Sequence, residues 1–164
     1  MKVVFTAIGV ENLSIEFLAS FLKKHGHQTE LVFDPYLFSS EAVSFKTLAD
    51  FFDTSKQIAH QIAVKKPDLV AFSVSTFNYQ RSLKLARLIK KIDKKIAVIF
   101  GGIHPTSVPE VVIKEKAVDI VCVGEGEYPL LELLESRQKG RVKTDIKNLW
   151  FKNGKKIIKN SCRQ

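Results

Sequence analysis

Residues 96–110 read IAVIFGGIHPTSVPE, an apolar run that stops at two glycines and continues into helix-start signals. An unbroken apolar run is typical of a strand covered on both faces, as in a parallel sheet. Ser107 and, three residues later, Glu110 predict a capping box that opens the next helix. Gly101 and Gly102 leave the backbone between them without Cβ atoms. We therefore expect a ligand here, since open α/β sheets bind ligands at the carboxyl edge.

Four further apolar segments predict strands, and helical patterns separate most of them. The predicted strands cover residues 2–8, 28–33, 69–74, 96–100 and 119–123. Ser14 is the predicted N-cap of the first helix, and Thr54 with Gln57 forms a second capping box. Alternating strands and helices predict an α/β fold: a flavodoxin-like, doubly wound parallel sheet of five strands in the order 2-1-3-4-5.

The C-terminal part predicts a β-hairpin over residues 148–159, because Asn153-Gly154 favours a type I′ turn. With 164 residues, 45% of them hydrophobic, the chain is long enough for one domain with a sizeable core. We expect residues 1–140 to form that domain and residues 141–164 to form the hairpin and the start of a linker.

Composition excludes several classes of function. The net charge is +9, but the lysines are scattered and mostly end predicted helices, which predicts no nucleic-acid partner. No apolar run is long enough to span a membrane. The N-terminus reads as a strand rather than a signal peptide, so we expect a cytoplasmic protein. Cys122 and Cys162 provide neither a disulfide framework nor metal-ligand spacing.

The predicted strand order brings four loops, which we call the rim, to the carboxyl edge of the sheet: residues 9–13, 73–78, 101–106 and 124–127. The rim lacks the glycine patterns of dinucleotide and P-loop sites and the acidic cluster of a receiver domain. Its glycines and hydroxyls suit a large neutral or amphipathic ligand. The candidate ligand-binding residues are Gly9, Val10, Glu11, Asn12, Leu13, Ser73, Ser75, Thr76, Gly101, Gly102, His104, Pro105, Gly124, Glu125, Gly126 and Glu127.

At the rim the chain resembles the cobalamin-binding domain at the N-terminus of cobalamin-dependent radical SAM enzymes. The resemblance lies in Gly101 to Thr106 followed by Val-Pro-Glu, and in Val123 to Glu127. It extends to the N-terminal region of anaerobic magnesium-protoporphyrin monomethyl ester cyclases. It implies that the nucleotide tail of cobalamin passes a serine after the third strand, Ser73 or Ser75, and then the two glycines after the fourth. A Cβ atom at Gly102 would then block the tail.

One departure from other cobalamin domains concerns the cobalt. The methionine-synthase type carries a cobalt-binding histidine after strand one, whereas residues 10–15 here read VENLSI. The resemblance therefore implies no histidine ligand from this loop, and we assign no metal ligand or catalytic residue. His104 is interpreted as a turn or tail-contacting residue. Glu125 and Glu127 either contact the ligand or cap the last helix.

The implied chemistry lies mostly outside this chain. A radical SAM domain holds its [4Fe-4S] cluster with three closely spaced cysteines, which this sequence lacks. The resemblance implies a longer parent protein that adds the cluster and S-adenosylmethionine and performs methyl transfer or oxidative cyclisation. A free-standing corrinoid carrier remains open, as does a flavodoxin-like module for another ligand or for protein docking.

Overall fold

Strands and helices alternate along the chain in the computed structural model, which describes residues 1–10, 12–36, 39–40, 43–44, 53–141, 143–154 and 156–163. The strands are β1 (Lys2–Ile8), β2 (Gln28–Asp34), β3 (Ser39–Ser40), β4 (Val43–Ser44), β5 (Leu69–Ser73), β6 (Ala97–Gly101), β7 (Ile120–Cys122), β8 (Leu149–Asn153) and β9 (Lys156–Ile158). The helices are α1 (Leu13–Lys24), α2 (Ser55–Val64), α3 (Tyr79–Ile92), α4 (Ile103–Ser107), α5 (Pro109–Val112) and α6 (Glu127–Gln138). None of these described helices has the length and apolar character that crossing a bilayer requires.

The described strands form a seven-stranded sheet in the order β2-β1-β5-β6-β7-β8-β9, and β3 pairs separately with β4. The first five strands of the sheet are parallel, which confirms the predicted α/β class and the 2-1-3-4-5 order. The predicted hairpin is also present, as β8 and β9. It extends the same sheet, because β8 pairs antiparallel with β7, so the sheet has two strands more than the five predicted.

Side chains that alternate along the buried strands divide the core into two layers. Val4, Val70 and Val98 pack under α2 and α3, and we call this side the α2–α3 face. Val3 and Ala71 point to the opposite side, under α1 and α6, which we call the α1–α6 face. Both faces of the central strands are therefore covered, as the unbroken apolar sequence predicts.

Two predicted helix starts are wrong. The N-cap of α1 is Asn12, whose side chain accepts a hydrogen bond from the Ser14 amide at 3.0 Å. Thr54 does occupy the N-cap position of α2, but its side chain makes no capping hydrogen bond. Ser107 opens no helix, since it ends α4 and its hydroxyl donates to the Ile103 carbonyl. The chain already enters α4 directly after the glycine turn, four residues before the predicted cap, and the next helix, α5, has Val108 rather than Ser107 at its N-cap position.

Candidate functional site

A cavity of about 570 Å³ opens at the carboxyl edge, on the α1–α6 face of the sheet. Its apolar lining comes from three strands and three helices: Phe5, Ile15, Phe17, Leu18, Ala71, Phe72, Ile99, Ile103 and Leu130. Ser14 and Thr106 add hydroxyl groups. An apolar cavity with a few hydroxyls is a typical site for a small molecule or cofactor.

The structure brings half of the predicted site residues to this cavity. They are Leu13, Ser73, Gly101, Gly102, Gly124, Glu125, Gly126 and Glu127. Val10, Asn12 and Ser75 line an adjoining pocket of about 310 Å³, which shares Ser73 and Gly102 with the cavity. Gly9, Thr76, His104 and Pro105 line neither space. Glu11 lies outside the residues that the structure describes.

Sequence reasoning included Leu13, the first residue of α1, but missed Phe17, one turn further along the same helix. Leu13 is 81% exposed and Phe17 is 60% exposed, although both are large apolar side chains. They lie four residues apart and therefore on one side of the helix, next to the stripe that packs on the sheet. The sequence did indicate this contribution, because these two apolar residues lie outside the apolar stripe of α1 that packs on the core.

Hydrogen bonds connect the first three rim loops to one another. The Asn12 side chain donates to the Ser73 hydroxyl at 2.9 Å, which links the loop after β1 to the loop after β5. The Val74 amide donates to the Gly101 carbonyl at 2.7 Å, and the His104 amide donates to the Val74 carbonyl at 3.1 Å. The loops after β5 and β6 are thus held in contact by their backbones.

Two further hydrogen bonds extend the linked rim to the loop after β7. The Gly124 amide donates to the Thr106 hydroxyl at 3.0 Å, and the Asn148 side chain donates to the Glu125 carbonyl at 3.3 Å. Every rim loop is therefore tied to a neighbouring loop by hydrogen bonds. Such preorganisation reduces the ordering cost that binding must overcome.

Gly102 has a structural role that the sequence did not reveal. Its φ is +100°, and a Cβ atom there would lie 2.9 Å from both the nitrogen and the oxygen of Val74. The close approach of the loop after β5 is thus by itself a reason for glycine at this position. At Gly101 a Cβ atom would meet Cys122 at an ordinary 3.5 Å.

Among the side chains that line the cavity, two glutamates carry negative charge, and one cysteine thiol is neutral. Burial, followed by the nearby charges of Glu127 and Glu125, raises the pKa of Cys122 to about 12. The thiol is therefore protonated at neutral pH and acts as part of the apolar wall. Gly126 occupies the N-cap position of α6, so neither glutamate is the capping residue.

His104 supports the rim from outside the cavity. Its Nδ1 and the Thr76 hydroxyl are hydrogen-bonded at 3.1 Å, and its ring stacks on Tyr79 with centroids 4.2 Å apart. These contacts agree with the interpretation of His104 as a turn residue. They orient its ring toward the α2–α3 face, where Tyr79 is part of the core.

Comparison with known proteins adds three findings. The B12 binding domain family matches residues 6–134. Two curated relatives are each 27% identical: the anaerobic magnesium-protoporphyrin IX monomethyl ester cyclase of Rubrivivax gelatinosus, over 80% of this chain, and the cobalamin-dependent radical SAM methyltransferase TokK of Streptomyces tokunonensis, over 83%. The chain spans 21% and 19% of their respective lengths.

The fold also matches a solved structure of the radical S-adenosylmethionine methyltransferase TsrM from Kitasatospora setae, with cobalamin and a [4Fe-4S] cluster bound. The TM-score is 0.74 at 17% sequence identity, over 98% of this chain and 29% of TsrM. At this level of identity the likeness concerns the fold.

Proposed function

The chain belongs to the B12-binding domain family, and from this premise we propose that it binds cobalamin in the cavity on the α1–α6 face. The observation that carries the proposal is the cavity itself, which lies at the carboxyl edge of the sheet within a rim already linked by hydrogen bonds. Bare backbone at Gly101, Gly124 and Gly126 allows a bulky ligand to approach closely.

We propose distinct roles for the residues that line the cavity. Phe17, Leu18 and Leu130 offer apolar contacts, while Ser14 and Ser73 offer hydroxyl groups for hydrogen bonds. Cobalamin, when bound, supplies its cobalt within its own macrocycle for group transfer. Because residues 10–15 contain no histidine, the loop after β1 provides no imidazole ligand to that cobalt.

We further propose that the chain acts as part of a cobalamin-dependent radical SAM enzyme, because it spans 19% of TokK, a relative named for that chemistry. The remainder of the parent would supply the [4Fe-4S] cluster and S-adenosylmethionine, and residues 141–164 would lead toward it. The relatives include a methyltransferase and a cyclase, so the parent's reaction is either methyl transfer or oxidative cyclisation. Two free cysteines favour the reducing cytoplasm as its compartment.

Retention of hydroxocobalamin tests the proposed site directly. The purified chain is mixed with hydroxocobalamin and desalted, and the corrinoid absorbance that remains is measured. Gly126→Ala adds one methyl group, whose Cβ would lie 3.7 Å from Leu18 and from the Cys122 sulfur, which is ordinary contact. The variant should fold with an unchanged or slightly higher melting temperature and bind cobalamin at least about tenfold more weakly, a loss of about 1.4 kcal/mol.

Gly140→Ala is the matched control, because a methyl group there meets nothing within 4 Å and lies away from the rim. Its φ of +69° makes the substitution cost about 1 kcal/mol of stability. It should therefore be less stable than Gly126→Ala and yet retain cobalamin. Absence of corrinoid from the wild-type chain after desalting would reject the proposed function, and full retention by Gly126→Ala would reject this cavity as the site.

A further inference from the structure

Asn148 uses all four of its hydrogen-bonding groups, and it divides them between two segments. Toward the loop after β7, its carbonyl accepts from the Val123 amide at 2.8 Å, and its side-chain nitrogen donates to the Glu125 carbonyl. Toward the C-terminal segment, residues 160–163, its amide donates to the Ser161 carbonyl at 3.0 Å. Its side-chain oxygen accepts from the Arg163 amide at 2.7 Å.

The backbone and the burial of Asn148 suit this double role. Its φ is +70°, a left-handed conformation that asparagine adopts more readily than most other residues. The residue is only 4% exposed, so water does not compete for its hydrogen bonds. An amide side chain provides a donor on one side and an acceptor on the other.

The loop that Asn148 contacts needs outside support. Gly124 and Gly126 give this part of the rim little intrinsic conformational preference, and Gly124 has a φ of +80°. Glu125 lies between them and lines the cavity. The side-chain amide of Asn148 therefore fixes the one carbonyl that lies between two flexible positions.

The C-terminal segment is anchored independently of this loop, so it can serve as a fixed support. The Asn160 side chain donates to the Thr144 carbonyl at 2.8 Å and to the Leu149 carbonyl at 2.7 Å. Arg163 forms an ion pair with Glu132 on α6. Asn148 thus connects an anchored segment to a flexible one.

We propose that Asn148 is a positioning residue for the cavity, which holds the loop of residues 123–127 in its ligand-binding conformation against the C-terminal segment. The inference rests on the proposed cobalamin-binding function, and no contact between Asn148 and the ligand is required. Asn148 acts through the Glu125 carbonyl, whose position determines how the adjoining backbone lines the cavity.

Three variants separate this role from general stabilisation. Asn148→Gly accepts the positive φ and removes both side-chain bonds. Asn148→Asp keeps the acceptor for the Arg163 amide but removes the donor to the Glu125 carbonyl. Asn160→Ala is the matched control, because it removes two hydrogen bonds at the start of the C-terminal segment but keeps the Arg163–Glu132 ion pair and both bonds between Asn148 and that segment.

The readouts are hydroxocobalamin affinity, the melting temperature and amide hydrogen exchange of residues 124–127 in the ligand-free chain. Both Asn148 variants should bind about tenfold more weakly and exchange faster at these amides. Asn160→Ala should bind normally and exchange normally there, even where its melting temperature falls further. Asn148→Asp should match Asn148→Gly in affinity, because loss of the bond to the Glu125 carbonyl is enough to release the loop, even where the bond to the Arg163 amide remains.

Wild-type affinity in Asn148→Asp, or an equal loss of affinity in Asn160→Ala, would overturn the positioning role. The proposed function fails separately, if the wild-type chain retains no cobalamin. Hydrogen exchange then still decides the role of Asn148, since unchanged exchange at residues 124–127 in both Asn148 variants would overturn it. If Asn148→Gly does not fold, Asn148→Asp alone decides between the outcomes.

Discussion

The two faces of the sheet end differently at its carboxyl edge. On the α2–α3 face, the Arg81 guanidinium fills the space, with its Nε 2.6 Å from an Asp34 oxygen and one terminal nitrogen 2.7 Å from Asp53. Arg81 is 7% exposed and Asp34 is fully buried. Tyr36 covers the guanidinium at 5.2 Å. This end of the molecule is closed by paired charges.

On the α1–α6 face the same edge is open. The two helices touch each other at few points, whereas α2 and α3 pack together along much of their length. The space between α1 and α6 is the cavity, bordered by glycines and by the exposed side chains of Leu13 and Phe17. The apolar surface that would normally be covered by packing is left for a ligand.

The difference shows how one sheet supports both stability and binding. On the α2–α3 face, removing one partner of a buried ion pair leaves the other charge buried and unpaired, so substitutions of these charged residues should be strongly destabilising. The α1–α6 face leaves apolar groups in water at a modest cost in stability and keeps space for a ligand. Substitutions should therefore affect stability on the first face and cobalamin binding on the second.

The largest effect on stability is expected from Arg81→Met, because it leaves Asp34 buried without its cation. The free energy of unfolding should fall by about 3 to 5 kcal/mol, out of about 5 to 15 kcal/mol for a typical domain. Urea unfolding at pH 7 measures this loss. The control is Lys84→Met, which removes an exposed cation from Asp53 and should cost less than about 1 kcal/mol. Equal losses in the two variants would contradict the assignment of the buried pair.

Gly102→Ala should have the next largest effect, and it should affect both properties. The added Cβ would lie 2.9 Å from the Val74 backbone at a positive φ, so we expect a loss of about 1 to 3 kcal/mol together with weaker cobalamin binding. Thermal unfolding and hydroxocobalamin titration measure the two effects. Gly9→Ala has a similar φ of +78° and open space around the new atom, so it isolates the backbone strain from the clash. Identical behaviour of the two variants would show that the clash is relieved without cost.

Asp53→Asn should make the α2–α3 face less sensitive to acid. Burial acts to raise the pKa of Asp53, but hydrogen bonds from Ser55, Lys84 and Arg81 outweigh it and hold this pKa well below its usual range. The unfolded chain therefore binds more protons below about pH 4, and the wild-type protein loses stability as the pH falls.

The variant should be about 1.5 kcal/mol less stable than wild type at pH 7, the low end for a hydrogen bond to a charged group. This difference should shrink as the pH falls below about 4, since Asp53 becomes protonated there in the unfolded wild-type chain but stays ionised in the folded one. Unfolding free energies measured in urea between pH 7 and pH 2.5 test the trend. A constant difference across that range would mean that Asp53 has an ordinary pKa.

Phe17→Ala should have the smallest effect on stability and a clear effect on binding. The side chain is exposed, so the free energy of unfolding should change by no more than about 0.5 kcal/mol. Cobalamin should dissociate faster, because one apolar wall of the cavity is removed. Phe77→Ala is the control: its side chain is 52% exposed and lines neither pocket. Equal dissociation rates in the two variants would show that Phe17 on α1 does not contribute to cobalamin binding.

The sequence predicted the strand order and the rim because local patterns encode both. Apolar runs and glycine turns depend on neighbouring residues, and topology rules then place the loops together. The capping box at Ser107 failed because it, too, was inferred from local sequence alone. A contact that is distant in the chain decides the helix start instead: Gly102 starts α4 earlier through a contact with Val74, nearly thirty residues away. Arg81 could not be paired with Asp34 from the sequence either, because their contact depends on how the helices pack on the sheet.

The hairpin of β8 and β9 determines which strand the outer edge of the sheet presents to other molecules. Without it, the edge would be β7, whose three residues Ile120–Cys122 are all buried in the present fold. A chain shortened to residues 1–140 would expose the unpaired backbone of that apolar strand, a template for edge-to-edge aggregation. In the described sheet the edge is instead β9, a short strand followed by Lys159, and short, charged edges resist such pairing. By covering β7, the hairpin thus protects the fold against edge-to-edge aggregation.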